Sequence, residues 1–322
     1  MNKITRRAFA AGAIALAAVG AHADTFPSKP IRLVVGFTAG GAADVLARII
    51  AKGLGTELGQ QVIVDNKPGA DGIISANEVL KAPADGYTIL LGTNTAMVAV
   101  PSLRANPPYD PFKQFTPLSS AGEFSMFLAV SPKVPSGSLN EFLDAVAANP
   151  GKFSSASSNS AAELAMLQLL GTRNVKVVNA RYKGDTQAYT DLVNGGIQMM
   201  FGTGTMTPAF VKDGKVKALV TLLPKRSPLL PDVPTATELG IGKKLTITPW
   251  AGFFGPAGLP ADVTEKLSAG LRATLARPEV QEQLVAQGFS AYGMTPAEFS
   301  AFFRRQYDGF VQTVRENNVK FE

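Results

Sequence analysis

Three short loops of this chain collect residue types that can hold a small anion, each placed where a strand gives way to a helix. In the first, Phe37-Thr38-Ala39-Gly40-Gly41-Ala42-Ala43-Asp44, adjacent glycines allow close backbone approach to a ligand and a positive φ. The loop lacks the Gly-Lys-Ser/Thr of a phosphate-binding loop and the three-glycine spacing of a dinucleotide fingerprint. A plain tight turn, with Asp44 capping the next helix, is the alternative use of the same residues. The second loop, Ser154-Ser155-Ala156-Ser157-Ser158-Asn159-Ser160, offers hydroxyl and N–H donors at the dipole-positive end of a helix. A solvated serine-rich loop is its alternative. The third is Gly202-Thr203-Gly204-Thr205, with Tyr182, Thr93 and Asn94 expected on the same crevice. Trp250, Phe253 and Phe254 read as packing where the chain would recross between lobes.

Residues that would turn a bound molecule over are scarce. The chain has no cysteine and one histidine, His22. That excludes Cys-His chemistry, and Ser-His-Asp chemistry once His22 is removed. It also excludes a zinc site built on thiolate or imidazole. No catalytic residue, metal or cofactor is therefore expected. A secreted hydrolase or lyase remains the competing reading, and it would need carboxylate or Ser-Lys chemistry. Asp44 and Glu163 are the only acids near the loops that could supply it.

The elements that must position these loops alternate almost from end to end. Strand-like runs lie at 31–37, 62–64, 88–91, 126–130, 175–178, 197–201, 216–222 and 246–254. Helical periodicity lies between them, for example over 42–54, 138–148, 160–171 and 186–194. This rhythm predicts an α/β protein of type II-like, two-lobed form, each lobe a mainly parallel sheet flanked by helices. The last stretch reads as three helices, 262–276, 278–287 and 296–317, with no strand between them. They need the first sheet to cover, so lobe 1 is expected over 24–125 plus 253–322 and lobe 2 over 126–252. Ligands of open α/β sheets sit outside the carboxyl ends of strands, where all three loops would stand.

Residues 1–23 read as a signal peptide. Lys3, Arg6 and Arg7 precede the apolar run Ala8 to Ala21, and Ala21-His22-Ala23 supplies a small-x-small cleavage pattern. Thr5-Arg6-Arg7-Ala8-Phe9 also suits the twin-arginine route. The expected location is periplasmic, without a membrane anchor and as a monomer. Loss of the three basic residues lowers the net charge from +6 to +3, and no basic stripe interleaved with aromatics supports nucleic-acid binding.

Short tags along the whole length resemble the periplasmic receptors of tripartite tricarboxylate transporters, the Bug-type solute-binding proteins. They include Phe26-Pro27-Ser28-Lys29-Pro30-Ile31-Arg32, Gly40-Gly41-x-x-Asp44 with Ala47-Arg48, and Asp65-Asn66-Lys67-Pro68-Gly69-Ala70. Ala84-Asp85-Gly86-Tyr87-Thr88, Tyr182-Lys183-Gly184, Leu230 to Thr235 and Trp250-x-Gly252 continue the series. The resemblance implies two lobes that close on a small organic carboxylate and deliver it to membrane transporter subunits. Carried over residue by residue, it implies contacts from Phe37, Thr38, Ala39, Gly40 and Gly41 in one lobe. In the other it implies Ser155, Ser157, Ser158, Asn159 and Ser160, with Tyr182 and Thr203; Thr93 of lobe 1 and Gly202 of lobe 2 complete the expected site. Gly202 stands where the family commonly has Asp. That departure argues against an amino-acid ligand and for room to take an aromatic or dicarboxylic acid. A sensor subunit that presents its ligand to a signalling receptor would share this fold.

Overall fold

The computed structural model describes residues 26–104, 106–182, 184–245 and 247–316, so the expected signal peptide lies outside the described residues. The chain opens with β1 (Ile31–Val35), whose unbroken Ile-Arg-Leu-Val-Val run suits a strand covered on both faces. Helix α1 (Ala42–Leu58) follows and buries Leu46, Ile50 and Leu54, spaced four apart on one face. It ends at Gly59, which adopts the left-handed conformation that favours glycine after a helix. Then come β2 (Val62–Asn66), a 3₁₀ turn at Ala70–Gly72, α2 (Ile73–Leu80) and β3 (Thr88–Thr93). A π turn at Thr95–Ala99 leads through α3 (Val100–Leu103) to β4 (Phe115–Phe124).

Phe124, Ser125 and Met126 carry the chain across to a second sheet. There lie β5 (Met126–Val130), α4 (Leu139–Ala148), β6 (Ser154–Ser157), α5 (Ser160–Gly171), β7 (Val178–Arg181), α6 (Asp185–Asn194), β8 (Met199–Thr203), α7 (Thr207–Lys212) and β9 (Lys217–Thr221). The chain returns in β10 (Trp250–Pro256) and finishes with α8 (Ala261–Ala276), α9 (Pro278–Ala286), β11 (Phe289–Ala291) and α10 (Pro296–Glu316). Trp250 to Gly252, expected in the second lobe, are thus the first residues of a strand in the first sheet. The C-terminal helices are not free of strands either. Phe289–Ala291 pairs with the outer edge of β4.

The six-stranded sheet runs β2-β1-β3-β10-β4-β11 and the five-stranded sheet β7-β6-β8-β5-β9. Up to its fifth strand the first has the same plan as the second. In each, a central strand has parallel neighbours on both sides, β1 beside β2 and β3, and β6 beside β7 and β8. In each, two antiparallel strands complete the order. The lobes are the expected two-lobed α/β layers, with mixed rather than mainly parallel pairing. The crossings cause the difference: β5 enters its sheet and β10 returns to its own against the direction of the βαβ strands.

One apolar core runs through both lobes, joining Val34, Leu90 and Phe299 of the first to Leu128, Phe142 and Leu164 of the second. Trp250 lies within it, ringed edge-on or tilted by Phe254, Phe299, Phe302 and Phe303 with centroids 5.7 to 6.4 Å away. Each such aromatic pair contributes about 0.5–1.5 kcal/mol beyond its buried area. Behind the crossing, the lobes meet backbone to backbone. Ser125 N–H donates to the Gly288 carbonyl at 2.6 Å and the Ser125 carbonyl accepts from Gly204 N–H at 2.7 Å. A Cβ on Gly288 would stand 2.9 Å from the Gly204 backbone, so this one contact leaves no room for a side chain at position 288. No helix among the described residues is long and apolar enough to cross a membrane.

Candidate ligand-binding cleft

The facing loops of the two lobes enclose a cleft of about 540 Å³. Its first wall is the Gly-rich loop from Phe37 to Ala43, together with Thr93, Asn94 and Thr95 at the end of β3. Gly40 has φ of 80°, which favours glycine. Gly41 has an ordinary φ of −78° and is the residue from which α1 springs. No side chain caps that helix start, so its first N–H groups, which have no intrahelical partner, face the cleft.

Asp44 fixes this loop from beneath. Its Oδ2 accepts from Gly40 N–H at 2.8 Å and from Arg48 Nε at 2.9 Å, and its Oδ1 accepts from Asn66 Nδ2 at 2.9 Å. The same Asn66 amide donates to the Phe37 carbonyl at 3.0 Å. Burial alone would raise the Asp44 carboxyl. The hydrogen bonds from Arg48, Gly40 and Asn66, with the Arg48 charge, outweigh it and hold the group below the usual aspartate value. Asp44 therefore sits in the first turn of α1 as a brace, not at its cap.

In the second lobe the serine run divides. Ser154–Ser157 is strand β6, and residues 155 and 157 share one face of it. Ser155 Oγ donates to Asn179 Oδ1 at 3.0 Å, and Asn179 Nδ2 donates to Ser157 Oγ at 2.8 Å. Both serines are thus spent on the neighbouring strand and are buried away from the cleft. Ser160 is also off the cleft wall, its hydroxyl directed to Asp71 Oδ2 at 3.5 Å in the other lobe. Ser158 and Asn159, past the end of β6, reach the cleft. Asn159 Oδ1 caps α5 by accepting from Ala162 N–H at 2.9 Å.

Two further expectations are corrected. Tyr182 donates its hydroxyl to Asp191 Oδ2 at 2.5 Å and does not line the cleft. Gly202 falls inside β8, because that strand runs two residues further than its apolar pattern. A Cβ there would lie 2.0 Å from the Tyr189 hydroxyl, so the missing side chain leaves space to Tyr189 and none to a ligand. Thr203 does line the cleft, with Thr205 and Met206.

The residue missed is Asp185. It opens α6 on the cleft wall beside Gly184 and Thr186, and it is the one charged side chain there among the described residues. Its Oδ1 accepts from Ser158 Oγ at 2.5 Å and its Oδ2 from Thr203 N–H at 3.0 Å, tying two loops together. The strand-to-helix rule that selected the other loops also selects Gly184-Asp185-Thr186. With Asp185 on the wall, an acid reaches the cleft from another element, and Gly202 no longer weighs against an amino-acid ligand.

No lysine or arginine lines the cleft among the described residues, while the N-termini of α1, α5 and α6 converge on it. Helix dipoles and neutral donors therefore supply its positive potential. Thr93 adds a buried hydroxyl whose oxygen has no hydrogen-bond partner in the protein. The acids a hydrolase would need are engaged, Asp44 under its three donors and Glu163 with Arg181 Nε at 2.8 Å. No group of three or more His, Cys, Asp or Glu able to hold a metal is found among the described residues.

A family model described as the tripartite tricarboxylate transporter family receptor matches residues 46–318. The chain is 34% identical to a UPF0065 protein of Pseudomonas sp. strain P51, encoded in the tcbD-tcbE intergenic region, over 97% of this chain and 94% of that one. It is 32% identical to the protein BugT of Bordetella pertussis, over 96% of each. Among solved structures, a Rhodopseudomonas palustris protein with adipate superposes with a TM-score of 0.84 at 26% identity, covering 92% of this chain and 99% of the other. MatC of the same organism, with bound malate, gives 0.78 at 28% identity, covering 90% and 100%.

Proposed function

The chain belongs to the tripartite tricarboxylate transporter receptor family, whose members are solute-binding receptors and not enzymes, and on that premise we propose that it captures a small dicarboxylate between its lobes. The observation that carries this reading is the Thr93 hydroxyl, buried on the cleft wall without a partner. A buried hydroxyl left unpaired costs about 1–3 kcal/mol, and a ligand oxygen removes that penalty. One ligand carboxylate sits against the Gly40-Gly41 loop and the uncapped start of α1, accepting from Thr93 and from backbone N–H groups. The other end meets Asn159 and the Thr203 hydroxyl of the second lobe, the Ser158 hydroxyl and the Thr203 N–H being donated to Asp185. Asp185 disfavours a second anion pressed against it, and accepts instead from a hydroxyl on the ligand. A hydroxylated dicarboxylate such as malate, which a neighbouring structure holds, fits this division, and Gly202 adds no space that would favour an aromatic acid.

Export by the N-terminal signal, closure of the lobes about the crossing strands, and delivery to membrane transporter subunits complete the proposed role. Closure follows from the ligand's better contacts when both walls reach it.

Thermal unfolding of the purified protein against malate, adipate, benzoate and aspartate tests the ligand class. The dicarboxylates are expected to raise Tm most, and Gly41→Phe, which fills the loop without demanding an unusual φ, removes the shift. A panel of organic acids that leaves Tm unmoved overturns the proposal.

A further inference from the structure

A second, smaller cavity of about 210 Å³ lies between the returning crossing and the C-terminal helix. Ile247, Thr248 and Trp250 line it from the crossing, Arg305 and Gln306 from α10, and Asn94 from the end of β3. Asn94 is shared with the ligand cleft, so the two cavities stand on either side of one residue.

The polar lining is rich in donors and holds no acid. Trp250 is 1% exposed, and its indole N–H is buried without a hydrogen-bond partner. An indole N–H and a guanidinium can only donate. Arg305 makes no ion pair or hydrogen bond among the described residues, whereas its neighbour Arg304 stacks over the Phe112 ring at 3.4 Å. The Asn94 and Gln306 amides and the Thr248 hydroxyl can add donors. Buried donors are almost always satisfied, so the unpaired indole N–H calls for an acceptor from outside the chain, and the exposed Arg305 on the same cavity adds a positive charge there. The shared requirement is an acceptor-only, negatively charged group small enough for less than half the volume of the main cleft.

We propose that this chamber is a second anion site, taking a small monocarboxylate of formate or acetate size. The carboxylate accepts from the Trp250 indole N–H at its inner end and from the Arg305 guanidinium at its mouth. It thereby bridges the returning crossing to α10. This assignment does not depend on what the main cleft binds.

Trp250 is the only tryptophan in the chain, so its indole gives one signal in a ¹⁵N–¹H spectrum and needs no further assignment. Sodium acetate is titrated at constant ionic strength into the wild-type chain, Gly41→Phe and Arg305→Gln. A saturable downfield movement of the indole proton is expected in the wild type and in Gly41→Phe, where the main cleft is blocked. In Arg305→Gln the half-saturating concentration should rise about tenfold or more, the loss of one charge-assisted hydrogen bond. Arg305 is exposed, so its replacement leaves the fold intact. An indole signal that stays fixed marks an N–H satisfied by water alone and overturns the proposal. Movement abolished in Gly41→Phe, or unchanged in Arg305→Gln, overturns it as well, because the indole would then be reporting the main cleft.

Discussion

The two lobes share one strand order and hold their ligand-facing loops by different means. In the first, main chain forms the wall, a glycine-rich loop leading into the uncapped start of α1. The side chains that matter, Asp44, Arg48 and Asn66, lie beneath it and never need to touch a ligand. In the second, side chains both build the wall and present it. Asn159 caps α5, and Asp185 links Ser158 to Thr203. On the proposed reading, the first wall would meet a carboxylate through main chain. The second can change its selectivity by single substitutions. Topology sets where a site is, and the loop chemistry decides which half of the ligand is read.

Four substitutions break or sharpen that contrast. The largest effect is expected from Gly202→Asp, which drives an acid into the buried Tyr189 hydroxyl. Overpacking plus an unpaired buried carboxylate should cost roughly 3 kcal/mol or more in urea unfolding. A variant as stable as the parent would show that β8 has room to spare. Asp44→Ala comes next, at about 2 kcal/mol, since it leaves Gly40 N–H and Asn66 without their acceptor. Its pH dependence follows from the sign of the shift. A carboxyl held below its unfolded value of about 3.9 contributes stability above that pH, and the contribution is lost as pH falls through the folded value. The acid limb of the stability curve should therefore flatten in Asp44→Ala.

Asn159→Ala removes the only side-chain cap among the three helix starts at the cleft, and a loss of about 1 kcal/mol is expected. Differential scanning calorimetry checks it. The smallest effect belongs to Glu123 on the crossing strand. Burial raises its carboxyl, and the hydrogen bond from Tyr292 offsets only part of that. A raised group favours the fold below its unfolded value and loses that contribution as pH rises. Glu123→Gln should thus stabilise the protein by under about 1 kcal/mol near pH 8 and change nothing near pH 4.

Much of the scaffold was legible because buried strands such as Ile31–Val35 and Met126–Val130 are written in apolar and β-branched residues. Elements that break this rule were missed. β4, with Pro117, two serines and Gly122, has poor strand propensity. It is held by β10, with register shifts where the ladder is irregular. β6 is Ser-Ala-rich and reads as a loop, which would offer Ser155 and Ser157 to a ligand, whereas the pleat turns both toward Asn179. β7 lies three residues beyond the valine-rich run that suggested it, at a sheet edge where burial dictates little. The cleft's first wall was visible in its glycines. The strand-to-helix rule reaches Asp185 as well, but its ties to Ser158 and Thr203, 27 residues upstream and 18 downstream, are recorded by no local pattern.

The meeting of Gly204 and Gly288 behind Ser125 has a mechanical meaning. Along the crossing strand, Phe124 and Met126 face the cleft while Glu123 and Ser125 face a groove of about 450 Å³ on the other side. The Ser125 peptide is hydrogen-bonded to both lobes, so it stands as an axle between two jaws that point in opposite directions. Any turn about it that narrows the front jaw must widen the rear one. Only backbone bears on the axle itself, and the side chains that such a turn would have to shift lie away from it, in the core shared by the two lobes.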